Sequence, residues 1–266
     1  MKKKKNYNLI VGIGITGFFF LMAVIGQFWT PYGSTDMNSA AVGLAPCLMH
    51  PMGTDNFGRD ILSRVMSGSG STFFVAVCTV LIGGVCGTLV GAVTGYFGGW
   101  IDNVVMRISD ILLSFPSILL ALIFISFMGP GKYNIILALG ILFIPSFARI
   151  VRSEVIRFRE LDFVKSAKIM GAGDFRIIFA HILPNALVSI LTAAAIGFNN
   201  AVLAEASMSY LGLGVQPPEA SLGRMLSEAQ SYLFNMPWYA IFPGIAIILI
   251  ILGFSMVSEG LRSMQE

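Results

Sequence analysis

The sequence predicts an all-α integral membrane protein with six transmembrane helices, and three observations carry that prediction. Charged residues make up 12% of the 266 and hydrophobic ones 56%, with a mean hydropathy of +0.80; a soluble domain carries roughly 25% charged residues. Six apolar runs, roughly 9–29, 71–96, 112–129, 134–156, 182–205 and 238–258, match the ~20 residues that cross ~30 Å of hydrocarbon. The lysines and arginines fall between the runs, where a cation escapes the ~2.5–3.5 kcal/mol cost of a span centre.

An even number of spans puts both termini on one side. With the N-terminus inside, Lys2 to Lys5, Arg107, Arg149, Arg152, Arg157, Arg159, Lys165, Lys168, Arg176 and Arg262 fall at or near the cytoplasmic face, thirteen of the 17 basic residues. The exceptions are Arg59, Arg64, Lys132 and Arg224. The positive-inside rule therefore predicts cytoplasmic termini.

Taken in order, the first run, Leu9 to Trp29, exceeds the ~7–15-residue core of a secretory signal and reads as a retained span. Gly12, Gly14 and Gly17 match the dinucleotide fingerprint by letter, but that fingerprint needs a strand and a βαβ unit. Residues 1–70 thus comprise an N-terminal span and an outside segment, whose "HPMGTDNFGRDILSRVMSG" is rich in turn formers. Residues 71–266 form a five-span domain. Its first span carries Gly83, Gly87, Gly91, Gly95 and Gly99, every fourth residue, a smooth groove against which another helix can approach closely. That neighbour is either another helix of this chain, a second subunit, or the wall of a pore. Arg107 and Asp110, three apart, suit an intrahelical pair.

Between the fourth and fifth runs lies "FVKSAKIMGAGDFRIIFAHILPN" (163–185). Phe163, Val164, Ala167 and Met170 form one apolar face of a short helix. Gly171-Ala172-Gly173 breaks it, because glycine adopts the left-handed conformations that end helices. Asp174 is placed to cap the next turn, and Phe175, Ile178, Phe179 and Ile182 continue an apolar face until Pro184 closes or kinks it. Two short helices meeting at a glycine corner, basic at the edges, serve either to dock a partner or to rest on lipid headgroups.

In the fifth span, Asn199 and Asn200 lie deep and Glu205 sits near the outer end. Polar groups in spans face a cavity or a partner, so these three are candidates for a translocation path; interhelix hydrogen bonds would also use the asparagines, and a structural ion pair or an outer gate is favoured for Glu205. Beyond the span, Pro217-Pro218 marks a loop, and Leu222, Met225, Leu226 and Ala229 space out a short amphipathic helix across the outer mouth. Neither His50 nor His181 has a ligand cluster, and Cys47, Cys78 and Cys86 lack metal-ligand spacing. No metal site is expected. The chain contains no G-x-x-x-x-G-K-[ST] phosphate loop, so it does not bind ATP by that route.

Ala167, Gly171, Leu183 and Pro184 resemble the coupling-loop signature of the membrane subunits of bacterial ABC importers, although Lys165-Ser166 replaces the usual Glu-Ala. "HPMGTDNFGRDILSR" (50–64), "GYFGGWIDNVVMRISDILLSFPSILLAL" (95–122), "HILPN" (181–185) and "SYLGLGVQPPEASLGRML" (209–226) are similar to the second permease of the peptide and nickel branch. The resemblance implies a multi-pass permease of the bacterial cytoplasmic membrane, with a coupling loop at 159–181. It implies a homologous second permease, two cytoplasmic ATPase subunits holding ATP and Mg, and an extracytoplasmic substrate-binding protein. No cofactor on this chain and no nucleic acid are expected. Phe163, Ala167, Gly171, Asp174, Phe175 and Ile178 would meet the ATPase. Peptides are the expected cargo, with nickel or a metal chelate as the alternative. A secondary transporter or channel would show inverted repeats, broken helices and midplane charges, and an intramembrane enzyme a nucleophile–base pair or metal ligands; the sequence displays neither set.

Overall fold

A computed structural model describes residues 7–263; the lysine head at Lys2 to Lys5 lies outside them. Among the described residues no strand forms beyond one isolated bridge, Thr54 to Asp60. Helix α1 spans Tyr7–Phe28 and leads into an irregular segment before residue 61. Helix α2 then runs Ile61–Phe97 and begins well before residue 71, where the second apolar run starts. The Ser-Gly-rich 67–71 stretch has weak helix propensity, and tertiary packing overrides it. Asp60 caps the helix by accepting the Ser63 N–H at 2.8 Å, and Gly68 and Gly70 sit against the Ser221 backbone and Gln27, where larger side chains would collide.

The third apolar run is not one straight span. It breaks into α3 (Gly99–Ser114) and α4 (Ser117–Met128), bent by 93°. The cause is Pro116, which disfavours helical geometry in the residue before it; Phe115 is extended, at φ −92° and ψ 145°. Helix α5 (Lys132–Arg159) passes through Pro145 without a break. Helix α6 (Asp162–Ile169) is short, and α7 runs from Asp174 to Tyr210 as one 37-residue helix. Helix α8 (Leu222–Ala229) is capped by the Ser221 hydroxyl, which accepts the Arg224 N–H at 3.2 Å. Helix α9 (Pro237–Arg262) completes the described chain. Five helices (α1, α2, α5, α7 and α9) are long and apolar enough to cross a membrane, and the bent pair supplies a sixth crossing if it counts as one.

The glycine stripe faces α5. A side chain at Gly83 or Gly87 would strike the β-carbons of Phe143 or Phe147, one at Gly91 the Ala148 carbonyl, and one at Gly95 the Arg152 carbonyl. The stripe therefore serves packing within the chain. Gly99 is not part of it: its φ is +64° and nothing lies within 4 Å of its missing Cβ. Arg107 and Asp110 do not pair with each other. Asp110 accepts from Arg149 of α5 at 2.6 Å instead, which ties the bent pair to that helix.

Three apolar clusters hold the bundle. One joins α1, α2, α7, α8 and α9 around Phe73, Phe198, Met225 and Tyr239. A second packs α4 on α5 and α2 through Ala121, Ile125, Ile135 and Leu139. The third, toward the end where α2 and α5 terminate, gathers Val151, Val155, Val164, Ala167, Ile177, Ile178 and Ile182. It fixes the glycine corner onto the spans.

Candidate functional site

The corner between α6 and α7 is built from local chemistry. Gly171 has φ +83°, a left-handed conformation that costs other residues about 1–2 kcal/mol. Its N–H donates to the Lys168 carbonyl at 3.1 Å, and the Ala172 N–H reaches back to Ala167 at 3.0 Å. This pair of bonds is the Schellman motif that closes a helix.

The next helix does not stop at Pro184, so the segment is one short helix followed by a long one. Residues Ile177–Ile182 are wound as a π-helix, and the Leu183 N–H donates to Ile178. The wide turn ends two residues before Pro184, which has no N–H to give and whose ring would strike the carbonyl four residues back in a regular helix. Asn185 covers the loosened turn by donating from its side chain to the His181 carbonyl at 2.6 Å.

Asp174 is not a cap. The N-cap is Gly173, extended and without a side-chain bond, so Asp174 already lies in the first turn and points sideways. Its carboxylate accepts the Tyr96 hydroxyl at 2.7 Å. Arg159 Nη1 donates to the Tyr96 carbonyl at 2.9 Å. The first bond straps the corner to the end of α2, and the second ties the end of α5 to the same residue, beside a cleft of about 420 Å³ that Lys165 and Lys168 also line.

The six residues expected to meet a motor separate into two sets. Ala167 (3% exposed) and Ile178 (1%) are consumed by the chain's own core, so they cannot fill a cleft on another protein. Phe163 is partly exposed and edges against Phe158. Phe175 stands out at 70%, together with Ile169 at 87% and Met170 at 80%. Ile169 was missed by pattern, and its position directly before the glycine turn is the signal that could have found it.

The polar span residues also separate. Asn199, with its amide turned to pair, donates to the Ile251 carbonyl and accepts from the Ser255 N–H, each at 3.2 Å; it ties α7 to α9. Glu205 is fully buried, and it is neither ion-paired among the described residues nor open to a path. The hydroxyls of Thr72 (2.9 Å) and Ser209 (2.6 Å) cage its carboxylate. Asn200 faces an open groove between α5 and α7.

Residues 87–266 match the family described as "binding-protein-dependent transport system inner membrane component". The chain is 41% identical over 259 residues to the dipeptide transport system permease protein of Alkalihalophilus pseudofirmus, covering 97% of this chain and 85% of that one. It is 39% identical over 251 residues to the glutathione transport system permease protein of Pectobacterium atrosepticum, covering 92% and 83%.

The chain belongs to this family. It is a membrane permease subunit of an ABC importer of the peptide/nickel branch, and not an enzyme. Its fold is similar to a methionine ABC transporter solved in inward-facing conformations, with a TM-score of 0.58 and 23% identity over 74% of this chain and 95% of that one. The broken span at Phe115-Pro116 lies within the residues that match the family and does not mark a secondary transporter.

The permease also holds a polar cluster, built in part from the 50–64 block. Asp55 accepts from Arg59 Nε and Arg64 Nη1, both at 2.6 Å. Glu228 of α8 accepts from both arginines at 3.0 Å and from the Tyr239 hydroxyl at 2.7 Å, and Arg224 adds a contact at 3.2 Å. Burial pushes the Glu228 carboxyl up, but Arg64, the Tyr239 hydroxyl, Arg59 and Arg224 outweigh it and hold the group below its ordinary range. His50 is engaged nearby, its Nδ1 lying 2.9 Å from Asp60.

Proposed function

We propose that this permease forms half of the membrane path of a peptide importer, beside a homologous second permease. Two cytoplasmic ATPase subunits holding ATP and Mg grip its corner, and an extracytoplasmic binding protein delivers the peptide. The observation that carries the coupling role is the cluster of Ile169, Met170 and Phe175, large apolar side chains left bare on a corner that the Schellman turn and the Tyr96–Asp174 bond hold in place. Bare apolar groups of this size on a fixed scaffold mark an interaction site. When ATP closes the motor, the rigid corner transmits the push to α2 and α7.

Peptide cargo is supported by the dipeptide and glutathione relatives. Nickel lacks comparable support: no group of three or more His, Cys, Asp or Glu could hold a metal among the described residues. Cytoplasmic termini are supported by the four exceptions to the charge bias. Arg59, Arg64 and Arg224 pair with Asp55 or Glu228, and Lys132 pairs with Glu219 at 2.6 Å.

The test is ATP-dependent uptake into proteoliposomes holding the whole complex. Dipeptide uptake should require both the ATPases and the loaded binding protein. Uptake without an ATPase would overturn the importer reading, and nickel uptake without peptide uptake would overturn the cargo. For orientation, Cys47 is exposed in the outer segment and should react with an impermeant maleimide in intact cells. A Ser263→Cys thiol in a Cys47→Ser background should not react, and the reverse pattern would invert the topology.

A further inference from the structure

Two adjoining cavities of about 430 and 90 Å³ lie between α5 and α7, and they share Phe143, Ser146 and Asn200. The break at Phe115-Pro116 forms one wall of the larger, through Phe115 and Ser117. Ser146 is halfway along α5, so the groove reaches mid-depth. The side chains of Ser117, Ser146 and Asn200 have no hydrogen-bond partner among the described residues. Elsewhere in the spans the hydroxyls of Thr94, Ser126, Thr192 and Ser207 donate to the carbonyl four residues back, while those of Ser69 and Thr79 in α2 are buried without a partner. An amide left unpaired against hydrocarbon costs several kcal/mol. This face of the bundle therefore looks onto something polar.

We propose that this groove holds the main chain of the passing peptide, with Asn200 pairing to its amide groups and Ser146 and Ser117 assisting. The proposal rests on the peptide-importer reading above. A carboxamide carries donors and an acceptor, the same complement as a peptide bond, so Asn200 can bond a peptide unit whatever side chains flank it. The remaining lining is apolar, including Phe115, Phe143 and Leu203, and no charged residue lines either cavity. Such a surface recognises a backbone weakly and leaves side chains unspecified. A path needs that balance, because cargo must both enter and leave. The same lining offers no carboxylate, thiolate or imidazole to a metal ion.

The experiment uses the complete complex in proteoliposomes, with two peptides of equal length, one of small and one of aromatic side chains. Asn200→Ala should lower uptake of both by the same factor, about tenfold, the order of a lost neutral hydrogen bond. ATP turnover stimulated by the loaded binding protein and the subunit stoichiometry should stay at wild-type values. Asn200→Gln should recover part of the uptake. Ser146→Ala, which removes only a hydroxyl, should lower uptake about threefold and keeps the test open should Asn200→Ala fold poorly. Unchanged uptake in both variants would overturn the proposal, as would unequal losses for the two peptides. Loss of the second permease from the Asn200→Ala complex would overturn it by making the groove a subunit contact. Failure of the wild-type complex to move either peptide would instead overturn the cargo reading on which the proposal stands.

Discussion

The two ends of the permease treat their charges and their oily side chains in opposite ways. At the end proposed above to face outward, Arg59, Arg64, Asp55 and Glu228 are folded inward and paired, and Glu205 is caged by hydroxyls. At the end proposed to face the cytoplasm, Lys165, Lys168 and Arg176 form no ion pair among the described residues, and Ile169, Met170 and Phe175 stand bare. A buried ion pair pays heavily to leave water and is worth keeping where it fixes one geometry. The outer cluster does that, bolting the start of α2 to α8 and α9 with bonds that span 164 residues of sequence. The inner corner is just as rigid in its backbone but unfinished on its surface. The contrast teaches that rigidity and completeness are separate properties, and the unfinished end is where the proposed ATPase contact would sit.

Mutations can break that contrast, and the largest effect on stability should come from the outer cluster. Arg64→Met leaves Asp55 and Glu228 each short of a buried partner, which costs about 3–5 kcal/mol. Thermal unfolding of the purified complex in detergent should register it, and an unchanged midpoint would mean that the cluster is not what holds the outer end. Next comes the helix seam between the ends. Gly91→Leu would drive a side chain into the Ala148 carbonyl, an overpacking cost of about 1–3 kcal/mol or misassembly. Gly14→Leu is the control, since nothing lies within 4 Å of its missing Cβ; equal yields for the two would deny the seam its role.

A smaller effect follows pH. Because the folded-state pKa of Glu228 is depressed, its contribution is present above the unfolded carboxyl value of about 4.3 and is lost as pH falls through the lower folded value. Unfolding temperature should therefore drop on acidification below about pH 4, and Glu228→Gln should flatten that slope. A slope unaffected by the substitution would place the acid sensitivity elsewhere.

What could be read from the sequence, and what could not, follows the range of the interactions. Five of the six expected spans, the Gly171 turn and the short helix α8 depend on neighbours a few residues apart, and they show in the pattern. The glycine period showed a close-packed face but not its partner, because α5 lies about fifty residues downstream of Gly91 in the chain. The apolar residues of the corner were legible as apolar, yet periodicity does not say what covers a face; Ala167 and Ile178 turned out to be covered by the chain itself. The bond between Asp174 and Tyr96 crosses 78 residues, so the aspartate looked like a cap. The pairing of the polar cluster was invisible for the same reason; its arginines registered as exceptions to a charge rule and as members of the 50–64 and 209–226 blocks, but not as partners.

The smallest expected change in stability belongs to the substitution with the largest expected change in function. Phe175→Ala alters an exposed side chain and should shift unfolding by less than about 0.5 kcal/mol, leaving membrane insertion and pairing with the second permease intact. The decisive measurement is the ATPase stoichiometry of the purified Phe175→Ala complex, taken with the ATP turnover stimulated by loaded binding protein. Loss of ATPase subunits, or loss of stimulation at normal stoichiometry, is the predicted result. Full stoichiometry with wild-type stimulated turnover would contradict the assignment of the corner as the place where the motor grips.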